Sequence, residues 1–224
     1  MKRLIILLTI TLSSSLFAQD AIQKTIGEFS ELKVYDLIQI ELVKSDENKV
    51  IITGTNNSDV LINNKNGKLK IKMKLENTFN GNDTKVVLHY TKVDIIDVNE
   101  GAQVKSEDII KQFEIDLRAQ EGGIIKIPVN TSYTNVKAVT GGVIETSGTS
   151  KNQKISLLTG GKYLGEHLET ENTEVSISAA GEAHVNATKL VDVKIRAGGD
   201  VFIYGNPETI SENKALGGRV KRMN

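Results

Sequence analysis

The chain lacks cysteine and tryptophan, and its 224 residues include only two prolines, five phenylalanines and five tyrosines. Without cysteine there can be no disulfide framework, no thiolate metal site, no cysteine nucleophile and no lipid anchor on a cysteine. An excess of one charge is also missing, because 28 basic side chains balance 28 acidic ones. We therefore expect no nucleic-acid partner, and the overall charge does not indicate an acidic membrane surface.

A long hydrophobic run occurs only near the start of the chain. Two basic residues precede an apolar stretch (residues 4–12), and a serine-rich segment leads to Ala18. This order predicts a signal peptide, residues 1–18, cleaved near Ala18, and an exported chain, residues 19–224, that is periplasmic, cell-surface or secreted. The alternative is a retained membrane helix, but the run is shorter than the ~20 residues that a span needs. No later stretch is suited to an integral membrane segment.

Glycines recur at a nearly constant interval through the second half of the chain. Successive members are 18 to 22 residues apart, and from the second onward each follows another small residue. The set is Gly101, Gly123, Gly142, Gly161, Gly181, Gly199 and Gly218. Apolar and polar residues alternate on both sides, as at Val136 and Ala138 before Gly142 and at Ile144 after it. The pattern indicates a repeat of two short β-segments joined at a small-residue corner.

One such unit can bury its apolar stripe only by stacking on copies of itself. We therefore predict an all-β, right-handed parallel β-helix (a β-solenoid) with about 19–20 residues per coil. Glycine at the corner would allow backbone angles closed to other residues and leave room where coils approach. An antiparallel β-sandwich is the alternative, although the regular corner spacing favours the solenoid. In the last unit the inward positions become Glu212 and Lys214, which suits a polar cap.

The first half of the exported chain is rich in strand patterns but has no visible period. We interpret residues 19–98 as less regular N-terminal coils and a cap, with Asn66-Gly67 as a hairpin turn. Residues 99–224 are the regular repeats. No segment with the composition of a linker separates the two parts, so we predict a single β-solenoid domain.

Further segments of the chain match a known family. They are residues 27–34 (GEFSELKV), 200–207 (DVFIYGNP) and 217–220 (GGRV), together with the serial small-Gly corners. On these features the chain resembles the putative auto-transporter adhesin "head GIN" domain family of exported bacterial proteins, over residues 26–222. The family's frequent Ser-Gly corners are mostly Thr-Gly-Gly or Ala-Gly here. The resemblance implies adhesion, but its motifs are structural and bring no catalytic or binding residue with them.

Stacked coils would align outward residues in columns. Glu182 and Asp200 each follow a corner glycine, so they would lie about one coil apart, ~4.8 Å, with His184 beside them and Lys162 next to Glu182. Two such carboxylates could serve glycoside hydrolysis, and with a histidine they could hold a divalent metal. A solvated charge ladder is the simpler interpretation. We therefore predict no catalytic, metal or cofactor residue. The binding residues stay unknown, with Lys162, Glu182, His184 and Asp200 as an exposed candidate cluster.

These observations favour a non-enzymatic, exported interaction protein that binds a glycan or a protein at the cell envelope, as an adhesin does. Rigid stacked coils offer long faces on which substitutions leave the core unchanged. One alternative is a carbohydrate-active enzyme on a β-helix scaffold, and another is a periplasmic structural or sensing module. The sequence contains no phosphate-binding loop, nucleophile elbow or zinc signature.

Overall fold

The computed structural model describes residues 21–223 and shows an all-β chain with 3% helix that forms a β-solenoid of about seven turns. This confirms the predicted fold class, and the sandwich alternative is wrong. The predicted signal peptide lies outside the described residues.

The strands are β1 (Ile22–Thr25), β2 (Glu31–Val34), β3 (Gln39–Lys44), β4 (Lys49–Gly54), β5 (Val60–Lys65), β6 (Lys68–Met73), β7 (Thr84–Tyr90), β8 (Ile95–Val98), β9 (Gln103–Ser106), β10 (Ile110–Gln120), β11 (Ile124–Val139), β12 (Val143–Leu158), β13 (Gly161–Ile177), β14 (Gly181–Ala197), β15 (Asp200–Tyr204), β16 (Thr209–Leu216) and β17 (Arg219–Arg222). Two short 3-10 helices span Asn57–Asp59 and Leu75–Asn77.

Each regular coil is one long strand that contributes to two faces of the solenoid. In β12, inward positions are even-numbered up to Ser150 and odd-numbered from Gln153, so the alternation slips between these two residues. We use three names for the parts of each coil. Face A is the part that follows a glycine corner, and face B is the part that precedes the next one. The polar corner is the bend between the two faces, where the alternation slips. Neighbouring coils pair in parallel, with Ile144 opposite both Ile125 and Tyr163. One continuous apolar core results.

The glycine corners use two adjacent glycines for different purposes. Gly141 has a φ of +71°, and nothing lies within 4 Å of the place where its Cβ would be. Gly142 has no such backbone angle, but its Cβ would lie 2.2 Å from the carbonyl oxygen of Ala119 in the preceding coil. The first glycine therefore serves the turn, and the second lets two backbones approach.

The polar corner is lined on the inside by hydroxyl groups. Thr131, Thr134 and Ser150 are buried, and their hydroxyl oxygens hydrogen-bond one another at 2.7 to 3.0 Å. Farther along the stack, Thr170 and Thr173 make the same contact at 2.8 Å. Buried hydroxyls are costly unless they are paired, so this ladder removes a penalty that the bend would otherwise create. The period-two pattern of the sequence does not predict this hydroxyl ladder.

The first coils are stacked out of chain order. β2 lies between β6 and β8, and β3 lies between β7 and β9, all in parallel register. Residues 31–44 are therefore placed between two coils that both follow them in the chain. The antiparallel pairs β1–β4, β4–β7 and β5–β6 complete this end. Asn66 and Gly67 form the predicted hairpin turn, with positive φ at both residues.

The C-terminal coil ends the core with charged side chains at inward positions. Glu212 pairs in register with Val193 and Lys214 with Ile195, and the two charged groups form an ion pair at 3.0 Å. Inward-pointing charges at the end of a sheet oppose pairing with another chain. The polar cap expected from the sequence is therefore present.

Replacing the cap charges by apolar residues is expected to cause end-to-end association. A Glu212→Val/Lys214→Ile variant would continue the apolar column to the open end, where a second copy could cover it. Sedimentation velocity would show dimers or larger species at micromolar concentration. The matched control is Ser211→Val/Asn213→Val, which changes outward positions of the same strand. Equal association of both variants would show that the cap charges have no special role.

Candidate binding surfaces

The candidate cluster lies on face A, where its residues occupy adjacent columns of stacked coils as the sequence predicts. Lys162 pairs in register with Glu182, and Glu182 with Asp200. The neighbouring column contains Leu164, His184 and Phe202. The solenoid register therefore brings together all four predicted residues. The column continues to a fourth residue, Arg219, one coil beyond Asp200. The sequence prediction did not include Arg219, although the same interval leads to it.

Each carboxylate of the cluster has a cationic or polar partner. Glu182 lies 3.2 Å from the His184 ring nitrogen Nε2 and 3.9 Å from the Lys162 ammonium. Asp200 accepts two hydrogen bonds from the Arg219 guanidinium, at 2.8 and 2.7 Å. This pairing lowers the pKa of Asp200 below its ordinary value. Asp200 is therefore an ionised partner in a bidentate pair, an arrangement that does not suit a general acid.

Aromatic rings extend the cluster across face A. The His184 ring lies 4.7 Å from that of Phe202 and 5.8 Å from that of Tyr204, measured between centroids. His184 Nδ1 is also 3.2 Å from the Tyr204 hydroxyl. We call His184, Phe202 and Tyr204 the ring patch. Within residues 21–223 no group of three or more histidine, aspartate or glutamate side chains is placed to hold a metal ion.

A second exposed cluster lies at the N-terminal end of the polar corner, and the sequence analysis did not identify it. Ile109, Phe113 and Tyr133 are 51%, 68% and 44% exposed, which is unusual for large apolar side chains. The rings of Phe113 and Tyr133 lie 5.4 Å apart and are tilted by 54°. The register of β10 with β11 passes from Gln112 to Glu114 and leaves Phe113 unpaired. The repeat pattern therefore does not predict an exposed ring at this position.

Ile109 and Phe113 line a depression, which we call the corner groove, and Tyr133 lies beside it in contact with Phe113. Its larger part measures about 790 Å³ and its smaller part about 490 Å³, and the two share Lys92 and Gln112. Both volumes are in the range of small-ligand sites. The larger part is lined by Lys44, Tyr90, Thr91, Lys92, Asp108 and Ile109, among others. The smaller part reaches Phe113 and Glu114.

The floor of the corner groove is ordered by contacts between distant segments. The Lys44 ammonium donates to the Thr91 carbonyl oxygen at 2.7 Å and lies 5.7 Å from the centre of the Tyr90 ring. The Lys44 backbone N–H donates to Asp108 at 3.1 Å. Burial raises the pKa of Tyr90 to about 12, and Asp108 adds to the shift. The buried Tyr90 hydroxyl has no hydrogen-bond partner within residues 21–223.

The fold defines a β-solenoid protein whose exposed features are broad sheet faces and a groove at one corner. The chain belongs to the family described as "Putative auto-transporter adhesin, head GIN domain", whose sequence model matches residues 28–207. This confirms the resemblance stated from the sequence. The family indicates an exported or surface protein, and in residues 21–223 no helix is long and apolar enough to cross a membrane.

Solved structures of similar fold come from Bacteroides and Parabacteroides species. A putative adhesin from Bacteroides fragilis has a TM-score of 0.83 at 19% identity, covering 92% of this chain and 98% of its own. A putative adhesin from Parabacteroides merdae gives 0.70 at 14% identity, covering 92% and 96%. A protein from Parabacteroides distasonis described as a putative lipid binding protein gives 0.69 at 18%, also covering 92% and 96%. These likenesses establish the fold. No curated protein matches the chain.

Proposed function

We propose that the protein is a non-enzymatic binding module of the cell envelope that holds a glycan in the corner groove. The observation that supports this most directly is the exposed ring pair of Phe113 and Tyr133. The C–H face of a sugar packs on an aromatic ring, while its hydroxyls need polar partners nearby. The groove supplies both, because Lys92, Gln112 and Glu114 line its smaller part together with Phe113. Tyr133 extends the apolar surface beside Phe113, with 5.4 Å between the ring centres.

The adhesin family and the predicted export agree with a role in envelope contacts. The non-enzymatic part of the proposal is supported by the state of the face A carboxylates. Glu182 is between two cationic or ionisable partners, and Asp200 is bound by Arg219. Turnover of an acidic polysaccharide that is lost in Glu182→Gln or Asp200→Asn would contradict it.

The test is binding to an array of bacterial and host glycans, followed by titration of the best one. Replacing both rings, Phe113→Ala/Tyr133→Ala, is expected to weaken binding about tenfold or more, because buried aromatic contacts contribute most of the affinity at such sites. The matched control is Phe202→Ala/Tyr204→Ala, which removes two rings from face A. Undiminished binding by the groove variant, or no glycan bound by the wild type, would overturn the proposal.

A protein partner on face A is the second candidate. The ring patch is flanked by the Lys162–Glu182 and Asp200–Arg219 pairs, and a broad surface of aromatic and paired charged groups is typical of protein interfaces. In that case the face A variant, and not the groove variant, would lose binding to a protein purified from the envelope.

A further inference from the structure

We propose that the corner groove takes an uncharged, unbranched β-1,4-linked polysaccharide, and that this chain continues from the groove along the polar corner. The ligand is the glycan of the proposed function, on which this inference rests. Phe113 and Tyr133 lie where the groove meets the regular coils, so a glycan longer than the groove would pass over their rings. The polar corner of the next coils then determines which kind of chain can follow it.

Four successive coils bend in the same way at the polar corner. In each bend one residue at the tip is left out of the register, and the residues on both sides of it pair one to one with those of the next coil. The tip residues are Phe113, Ser132, Lys151 and Glu171. In β14 the bend contains two such residues, Thr188 and Lys189, so the regular part ends there. The four bends therefore form a nearly straight edge that advances by ~4.8 Å per coil.

A row of side chains follows the tips on their face B side, and we call it the corner row. Its members pair in register from coil to coil and are Glu114, Tyr133, Asn152, Asn172 and Leu190. The Asn172 amide donates to Asn152 Oδ1 at 3.1 Å, and the Asn152 amide donates to the Ser132 carbonyl oxygen at 3.3 Å. Both asparagines are half-buried, so neighbouring coils hold their amides in place. The ring of Tyr133 is thus followed by two ordered amides.

These amides have hydrogen-bonding capacity beyond the corner row. An asparagine side chain carries two N–H donors and an oxygen with two lone pairs. Within residues 21–223 the amides of Asn152 and Asn172 each use one N–H donor in the bonds between coils. The second N–H of each can donate to a sugar hydroxyl, and the two asparagines are one coil apart. Because the amides are already ordered, binding would cost little side-chain entropy.

The spacing of the coils selects the type of chain. A β-1,4-linked chain of hexopyranoses is a nearly straight ribbon, and each sugar advances it by about one coil spacing. The C–H groups lie on the faces of the ribbon and the hydroxyls at its edges, so successive sugars would meet the rings and then the amides. An α-1,4-linked chain curves and would leave a straight edge. An extended peptide repeats on one face every ~6.6 Å, which does not match the coils.

The charges along this edge are balanced, which favours an uncharged chain. Glu171 pairs with Lys189 at 2.7 Å, and this pairing together with the charge of Lys151 lowers the pKa of Glu171 below its ordinary value. Glu114 accepts a hydrogen bond from the Asn135 amide at 2.8 Å. The bordering row on the face A side adds one charge of each sign, at Lys111 and Glu169. A polyanion would therefore meet no excess of positive charge along the described bends.

Isothermal titration calorimetry with oligosaccharides of increasing length tests the inference. The exported chain is titrated with cello-oligosaccharides and chito-oligosaccharides, from disaccharide to hexasaccharide, since both series are β-1,4-linked and uncharged. We expect at least one hexasaccharide to bind about tenfold or more tightly than its disaccharide, because only the longer chain reaches the hydrogen bonds of the corner row. Maltohexaose is the matched control ligand, because its α-1,4-linked chain should gain nothing over maltose.

A pair of variants locates the gain on the corner row. Asn152→Ala/Asn172→Ala should reduce the affinity for the hexasaccharide to that for the disaccharide and leave disaccharide binding unchanged. The matched control is Asn130→Ala/Thr149→Ala, which changes two paired, exposed residues on the face A side of the same bends and should keep the gain. Denaturant midpoints of both variants separate lost contacts from lost stability, and the wild-type length series requires no variant.

Equal affinity for disaccharide and hexasaccharide would overturn the inference, as would an equal gain with maltohexaose, a gain that survives in the asparagine variant, or no binding of either β-1,4-linked series. The proposed function fails by a different result, namely a glycan array without any bound glycan or undiminished binding by Phe113→Ala/Tyr133→Ala. A glycan that requires both rings but gains nothing with length would leave the groove as a glycan site and remove only the extension along the polar corner.

Discussion

Gly142→Ala is expected to destabilise the protein by about 3 kcal/mol or more, which is at the upper end of the cost of overpacking. The added Cβ would lie 2.2 Å from the Ala119 carbonyl oxygen and 2.5 Å from its carbonyl carbon. Both atoms belong to backbone, so no side chain can rotate away and the coils themselves must separate. The measurement is the denaturant midpoint of unfolding, compared with that of the wild type.

The control for this prediction is the adjacent residue. Gly141→Ala should cost only about 1 kcal/mol, because the new Cβ meets nothing within 4 Å and only the positive φ is unfavourable. The chain itself supports this, since Ala180 occupies the equivalent place before Gly181 with a φ of 41°. Equal unfolding midpoints for the two variants would show that the close contact between Gly142 and the Ala119 carbonyl group does not determine the stability of this corner.

Tyr163→Ala is expected to have the second large effect, about 3 to 5 kcal/mol for the loss of a fully buried aromatic ring. Tyr163 is 0% exposed, and its ring occupies the space that Gly165 leaves free, where a Cβ would lie 2.3 Å away. Tyr163→Phe keeps the ring and removes only the hydroxyl, so the two variants separate packing from hydrogen bonding.

The Tyr163→Phe variant should be destabilised by about 1 to 3 kcal/mol. The Tyr163 hydroxyl hydrogen-bonds with Thr146 and Gln153, which are themselves buried. Burial raises the pKa of this phenol above its ordinary value. Ultraviolet titration should therefore show two late-ionising tyrosines, Tyr90 and Tyr163, and the late signal should lose the contribution of one phenol in Tyr163→Phe. A Tyr163→Phe variant as stable as the wild type would show that the hydroxyl pairs are replaceable.

The regular coils could be predicted because each one repeats the same local requirements. A corner needs glycine for its backbone angle or for space, and the flanking residues must alternate to fill the core. These requirements recur at a constant interval, so they also define which outward residues meet. The pairing of Lys162, Glu182 and Asp200 follows from that interval alone and is confirmed by the register.

The partners of those residues were harder to predict. Arg219 is the next member of the Asp200 column, so the same interval could have identified it. The approach of the Tyr204 and His184 rings depends instead on side-chain directions between columns. A period of two assigns a residue to a face, but it does not determine which way a ring turns.

The sequence by itself determined the all-β repeat, the glycine corners, the columns of face A and the family. Only the tertiary structure decided the order of the first coils, the hydroxyl ladder of the polar corner, the corner groove and the attachment of the loop after β6 to Asp36. Except for the hydroxyl ladder, which joins residues within a bend and on the adjacent coil, each of these depends on segments far apart in the chain, as where Lys44 meets Asp108 or Asp36 holds Phe79. Alternation is the same for a strand whatever its partner, so a local pattern cannot specify which distant segments meet.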